Sequence, residues 1–285
     1  MPFAPVSGQW IAYESAGAGP PVLLVHGLGS SLFDWERQIG PLSERYRVIA
    51  IDLRGHGQSW KPHRPFRIAD LAQDAVAVLD YLKIDAAHWV GLSLGGAVAL
   101  EAAAAAPQRV RSLVVVNSPP AYRPRSAGDA TALFYRRFLV WLYSMNTLGA
   151  FLARRALPGA GHQALRERLT ERFARNDKRC YRLAFDALRA WSVEDRLAGI
   201  RAPTLVLSAE LDYVPQSAKE AVARAIPGAR LSLLPGAHHM APLEVSDLFN
   251  RELLAFLDAV EADSGAPREG AAAAAETPRE AGPPA

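Results

Sequence analysis

The sequence predicts an α/β fold: a mostly parallel sheet covered by helices on both faces, with an inserted all-helical cap. Three observations predict it. Short continuous apolar runs recur along the chain, as strands buried on both faces require. Stretches with apolar residues at helical spacing fall between them, the alternation of a sheet built from strand–helix–strand units. From Pro119 to Asp195 the alternation stops, and no buried-strand run occurs.

The elements follow in chain order. Gln9 to Ser15 alternates weakly and is expected to be an edge strand. Pro21 to Val25 (PVLLV) is the first buried-type run, and Arg47 to Leu53 (RVIAIDL) the second. Ala69 to Leu82 has helical spacing with Asp70, Asp74 and Asp80 on its polar side. His88 to Leu92 is a strand leading into an Ala-rich helix, Gly96 to Ala105, and Leu113 to Asn117 is the next strand. The insertion opens with Pro119-Pro120 and carries helical stretches around Ala130 to Tyr143, His162 to Arg175 and Asp177 to Trp191. Thr204 to Ser208 resumes the strands, Ser217 to Ala225 is helical, Leu231 to Leu234 is a weaker strand, and Leu248 to Val260 is the last helix. These patterns divide the chain into a core of residues 1–118 and 196–261, a helical cap of 119–195, and a tail of 262–285. The tail is Ala, Gly, Pro and Glu with almost no large apolar residue, so it is expected to be disordered. Loops at the carboxyl ends of parallel strands surround the ligand site, so an insertion there is expected to form a lid.

Composition narrows the function. Half of the 285 residues are hydrophobic, enough for a substantial core, yet no apolar run reaches the length of a membrane span. The start, Met1-Pro2-Phe3-Ala4-Pro5, lacks a basic segment followed by an apolar run, so no secretory signal is expected. The single Cys180 cannot form an internal disulfide and is expected to be an incidental buried thiol, in keeping with a cytoplasmic protein. No His/Cys cluster has structural-zinc spacing, and no metal or organic cofactor is expected. The net charge of +3 does not argue for nucleic acid. It is unevenly spread: Pro119 to Asp195 holds 14 Lys and Arg against 7 Asp and Glu, hence +7 there and −4 elsewhere. An Arg-rich solvated surface is the simpler reading, and an anionic ligand or partner the alternative.

The chemistry centres on Gly91-Leu92-Ser93-Leu94-Gly95, where strand gives way to helix. A sharp strand-to-helix turn exposes Ser93, small residues two before and two after prevent a clash, and the helix N-terminus aims N–H groups at the reacting oxygen. Ser93 then needs a base and a carboxylate to orient that base. Gly236-Ala237-His238-His239-Met240 follows the last strand, so either histidine could serve as the base. Asp212 follows the strand Thr204 to Ser208, with Glu210 as the nearby alternative acid. The glycine-bearing loop His26-Gly27-Leu28-Gly29-Ser30 follows the first buried strand, and the backbone N–H groups of Leu28 and Leu94 form the expected oxyanion pair. Phe134, Phe138 and Trp141 stand at helical spacing in the insertion and are expected to pack the cap, with one or two lining an acyl pocket. His26 is expected to brace the oxyanion loop, and Asp52, Arg54 and His56 to fix the loop beside it.

His26-Gly27-Leu28-Gly29, Asp52-Leu53-Arg54-Gly55-His56-Gly57-Gln58-Ser59, Gly91-Leu92-Ser93-Leu94-Gly95-Gly96, Asp212 and His239 stand in the order of the α/β-hydrolase superfamily, which the chain resembles from Gln9 to Val260. The resemblance implies an eight-stranded, mostly parallel sheet with a helical cap. It also favours His239 over His238, because Glu244 and Phe249 follow at the family's spacing. A serine nucleophile implies acyl transfer to water. The pattern looks most like the branch of carboxylesterases, 3-oxoadipate enol-lactonases and pimeloyl-carrier-protein methyl esterases. The expected substrate is a small or medium ester, lactone or thioester, with an acyl carrier protein as a partner of the basic cap in one alternative. A ligand receptor of the same fold is the alternative from another class.

Overall fold

The computed structural model describes residues 1–122 and 127–263. The strands are β1 (Phe3–Val6), β2 (Gln9–Ala16), β3 (Pro21–Val25), β4 (Arg47–Ile51), β5 (Ala87–Leu92), β6 (Val110–Val116), β7 (Thr204–Ala209) and β8 (Arg230–Leu234). They form one eight-stranded sheet in the order β1-β2-β4-β3-β5-β6-β7-β8. β1 pairs antiparallel with β2, and β2 antiparallel with β4. From β4 through β8 every pairing is parallel.

The helices of the sheet are α1 (Glu36–Ser43), α2 (Ile68–Tyr81) and α3 (Leu94–Ala105). The inserted helices are α4 (Ala127–Leu142), α5 (Met145–Ala156), α6 (Gln163–Ala174) and α7 (Lys178–Arg189). The remaining helices among the described residues are α8 (Gln216–Ala225), the short α9 (Ala241–Glu244) and α10 (Ser246–Asp263).

Successive strand residues point to opposite faces, and the core divides accordingly. Leu23, Val25, Trp89 and Val115 pack with Leu71, Val78, Val98 and Leu100 of α2 and α3. Val22, Leu24, Val90 and Val116 pack on the other face with Leu42 of α1 and Phe249 and Leu253 of α10. Both faces are therefore dry, which is why these strands read as unbroken apolar runs.

Three expectations are corrected. Gln9–Ala16 is not an edge strand: β1 lies outside it, paired from Phe3↔Ala12 to Val6↔Gln9. β1 contains Pro5 and spans four residues, too little pattern to separate from a loop. α1 and α5 also went unpredicted, α1 because Gly40 and Pro41 interrupt it. The tail was expected from Ala262, but α10 carries through Asp263; residues 264–285 lie outside the described residues, as do Arg123 and Arg125 of the basic segment.

Candidate active site

Ser93 stands between β5 and α3 with φ 54° and ψ −109°, a conformation costing a non-glycine residue about 1–3 kcal/mol. Close packing around it selects the glycines. A Cβ on Gly91 would lie 2.1 Å from the Gly95 carbonyl oxygen, and one on Gly95 would lie 2.0 Å from that of Val25. The turn is pinned by the Ser93 N–H donating to Val116 O at 2.9 Å and by the Ser118 hydroxyl donating to Ser93 O at 2.9 Å. The Ser93 side chain makes no capping bond to its own helix, so a simple N-cap role does not account for it. Leu94 opens α3, and the first N–H groups of a helix have no carbonyl partner within it.

His239 lies on the loop after β8 and is 5 % exposed. Its Nδ1 donates to Asp212 Oδ1 at 2.8 Å, which leaves Nε2 of the neutral ring as the basic nitrogen. The Tyr213 ring stacks on the imidazole with centroids 4.2 Å apart. Asp212 also accepts from the Val214 N–H at 3.1 Å and from Lys219 Nζ at 3.2 Å. Burial pushes the Asp212 carboxyl up, but the hydrogen bond from His239, with the Lys219 ammonium, outweighs it and holds the group below the usual carboxylate range. Lys219 is itself buried and donates to Ala209 O at 2.9 Å. Desolvation lowers its pKa, partly offset by Asp212.

Asn117, at the end of β6, ties these loops together. It has φ 48°, accepts from the Ala209 N–H at 2.8 Å and donates to His239 O at 3.0 Å. One side chain thus fixes the strand end before Asp212 and the backbone of His239.

The loop His26 to Ser30 borders the same space. His26 donates from Nδ1 to Gly27 O at 2.7 Å and accepts the Leu53 N–H at Nε2, 3.0 Å away. Burial lowers its pKa to about 4, so it is a neutral brace. Asp34 accepts from the Gly27 N–H at 2.9 Å and from the Ser30 hydroxyl. Burial drives its carboxyl up to about 6 despite those bonds. Asp52 receives the Leu32 and Gln58 N–H groups, each at 2.8 Å, and Arg54 pairs with Asp74. His56 sits edge-on to His26, with ring centroids 5.1 Å apart, and burial lowers its pKa to about 3. From the inserted helices, Asn176 donates to Gly29 O at 2.8 Å, and the Phe173 ring covers Gly29.

Ser93, Leu28 and His239 line one cavity, walled mainly by apolar side chains of the insertion such as Leu152, Phe173, Phe185 and Leu188. Leu94 is buried in the core, so only its backbone can serve the cavity. Phe134, Phe138 and Trp141 do not line it: they are 72 %, 45 % and 61 % exposed. The face of α4 that carries them turns outward, while α5, α6 and α7 supply the wall. Helical spacing locates an apolar face but not what that face meets.

Glu210 is exposed and binds the Gly236 N–H at 2.8 Å, away from His239. His238 turns from the cavity: its Nδ1 donates to Glu244 Oε1 at 2.6 Å, and Glu244 Oε2 accepts its N–H at 2.6 Å. His162 joins them, with Nε2 3.1 Å from Glu244. Among the described residues this trio is the grouping whose donor atoms lie close enough to hold a metal ion, within 4.8 Å of one another. Cys180 is buried beside Pro62, its thiol pushed up chiefly by burial. Sequence reasoning missed Lys219, Asn117 and Asn176. Lys219 lies seven residues after Asp212 in a pattern shared by any surface helix, so nothing in the sequence marks it as buried.

Comparison with known proteins identifies the family of this fold. A family profile described as the alpha/beta hydrolase fold matches residues 20–245. A protein named "putative carbamate hydrolase" from Azorhizobium caulinodans is 32 % identical over 265 residues, 90 % of this chain and 98 % of its own. One of the same name from Variovorax paradoxus is 35 % identical over 267 residues, 88 % of this chain and 97 % of its own. The crystal structure of an enol-lactonase from Burkholderia xenovorans superposes with a TM-score of 0.84 at 28 % identity, covering 90 % of this chain and all of that one. The chain belongs to the α/β-hydrolase fold family and is a hydrolase of that fold.

Proposed function

We propose that this protein is a serine hydrolase that cleaves a carboxylic ester or lactone through an acyl-enzyme on Ser93. One observation carries the reading: a strained, uncapped serine shares an apolar cavity with an imidazole whose Nδ1 is held by a buried carboxylate. Each partner then has a defined task. His239 Nε2 takes the Ser93 proton as Oγ attacks the carbonyl carbon, and Asp212 stabilises the imidazolium. The Leu28 and Leu94 N–H groups receive the negative oxygen of the tetrahedral adduct. Collapse expels the alcohol, which takes the proton from His239. A water, deprotonated by the same nitrogen, attacks the acyl carbon and releases the acid with Ser93 restored. Among the described residues no hydrogen bond joins Ser93 Oγ to His239 Nε2, although both residues line the cavity, so substrate binding has to bring the two atoms into hydrogen-bond reach.

The apolar wall suits an acyl chain, and the inserted helices act as the cap that shapes it. The names of the similar proteins, a putative carbamate hydrolase and an enol-lactonase, are compatible with the same first step.

The test is active-site labelling with a fluorophosphonate probe, beside hydrolysis of p-nitrophenyl acetate and butyrate. Wild type is expected to label and turn over, and Ser93→Ala to do neither. Absence of labelling in folded wild-type protein would instead support a ligand receptor of this fold.

A further inference from the structure

Arg189 stands in the last turn of α7 and is the only Lys or Arg among the described residues lining the cavity. A cation at a helix C-terminus is favourable, and one turn back Asp186 accepts from its Nη1 at 3.4 Å. That accounts for one corner of the guanidinium. Nε is buried with no hydrogen-bond partner; Nη2, on a side chain that is 28 % exposed, makes no hydrogen bond among the described residues. Buried N–H groups are nearly always satisfied, and an orphan on a charged group is more costly than on a neutral one. The Nε–Nη2 edge is also the one that grips a carboxylate with two parallel bonds. The carboxylate present in the cavity, Asp34, is already engaged by the Gly27 N–H and the Ser30 hydroxyl. Arg189 and Ser93 line the same cavity, whose other walls are mostly apolar. The cavity therefore offers a site for the scissile carbonyl, an apolar stretch, and an under-satisfied cation.

We propose that Arg189 forms a carboxylate subsite, and that the substrate is an ester or lactone whose acyl chain carries a free acid group. A small reorientation of the guanidinium presents its Nε–Nη2 edge to the acid, whose charge replaces the missing partners. Arg189 takes no part in the chemical steps. This inference rests on the hydrolase reading for the identity of the reacting bond, but not for the binding of the acid.

The experiment compares monomethyl adipate with methyl hexanoate, esters matched in chain length and differing in the terminal carboxylate. Wild type is expected to favour the hemi-ester in kcat/KM by about tenfold to a hundredfold, the range for hydrogen bonds to a charged group. In Arg189→Met the ratio falls to about one. Arg189→Lys keeps part of it, having the charge but not the fork. Calorimetric binding of the two esters to Ser93→Ala gives a second readout without turnover, and the Ser93→Ala/Arg189→Met double variant should lose the difference. Equal kcat/KM for the two esters in wild type overturns the proposal, as does a preference that survives in folded Arg189→Met. If neither ester is turned over and the fluorophosphonate fails to label, the hydrolytic reading falls instead; the calorimetric comparison then still decides the subsite.

Discussion

Replacing Lys219 by Met tests how the acid behind His239 is held. The ammonium is buried, with side-chain exposure of 1 % against 0 % for Asp212, and its Nζ lies 3.2 Å from Oδ2. Met retains an unbranched side chain but removes the charge and the donor to Ala209 O. Asp212 keeps His239 and Val214 on Oδ1, while Oδ2 is left facing an apolar side chain. Removing one member of a buried pair costs about 3–5 kcal/mol, because the survivor stays desolvated and uncompensated. At roughly 2–4 °C per kcal/mol for a domain of this size, the melting temperature should fall by about 6–20 °C. The pH dependence follows from the same charges. Asp212 is held below its ordinary pKa, so it contributes stability at neutral pH that is lost as pH falls through the folded value. Without the ammonium the carboxyl rises, and the acid limb of the stability profile should begin at higher pH. Urea unfolding at a series of pH values measures both effects. A double-mutant cycle with Asp212→Asn isolates the pair, whose coupling should exceed about 1 kcal/mol. A melting temperature within 2 °C of wild type, with an unmoved acid limb, would refute this account.

The strain at Ser93 makes a paired prediction: Ser93→Gly abolishes ester hydrolysis yet raises unfolding stability by about 1 kcal/mol, since glycine adopts φ 54° freely; a drop in stability would contradict the elbow's strain. His238→Gln should keep kcat within about threefold of wild type, because that ring is engaged by Glu244, whereas His239→Gln should lose at least about a thousandfold in steady-state assays. Asp34 has a raised folded pKa of about 6, so the folded state binds more protons than the unfolded chain between the ordinary carboxylate range and that value. Its contribution to stability therefore falls as pH rises through that window. Asp34→Asn should remove this slope, so thermal melts of the two proteins should diverge in favour of the variant from about pH 4 to 6.

The sequence by itself determined the buried parallel strands, because strands dry on both faces must be written as continuous apolar runs: Pro21–Val25 and Thr204–Ser208 could be placed nowhere else, whereas the short edge strand β1 left no such mark. It also marked the turn at Ser93, where backbone contacts near 2 Å exclude a Cβ at Gly91 and Gly95. Tertiary structure supplied the rest, including the contacts that distinguish His239, which the family spacing favours, from His238. Two adjacent histidines were separated by which carboxylate each meets, Asp212 or Glu244, and both contacts close across the chain fold. The apolar stripe of α4 was legible, but not that it faces outward while Phe173 and Phe185 wall the cavity. Lys219, Asn117 and Arg189 are polar residues of ordinary spacing. Their importance comes from burial and from the donors and acceptors brought beside them, quantities that exist only once distant segments have packed.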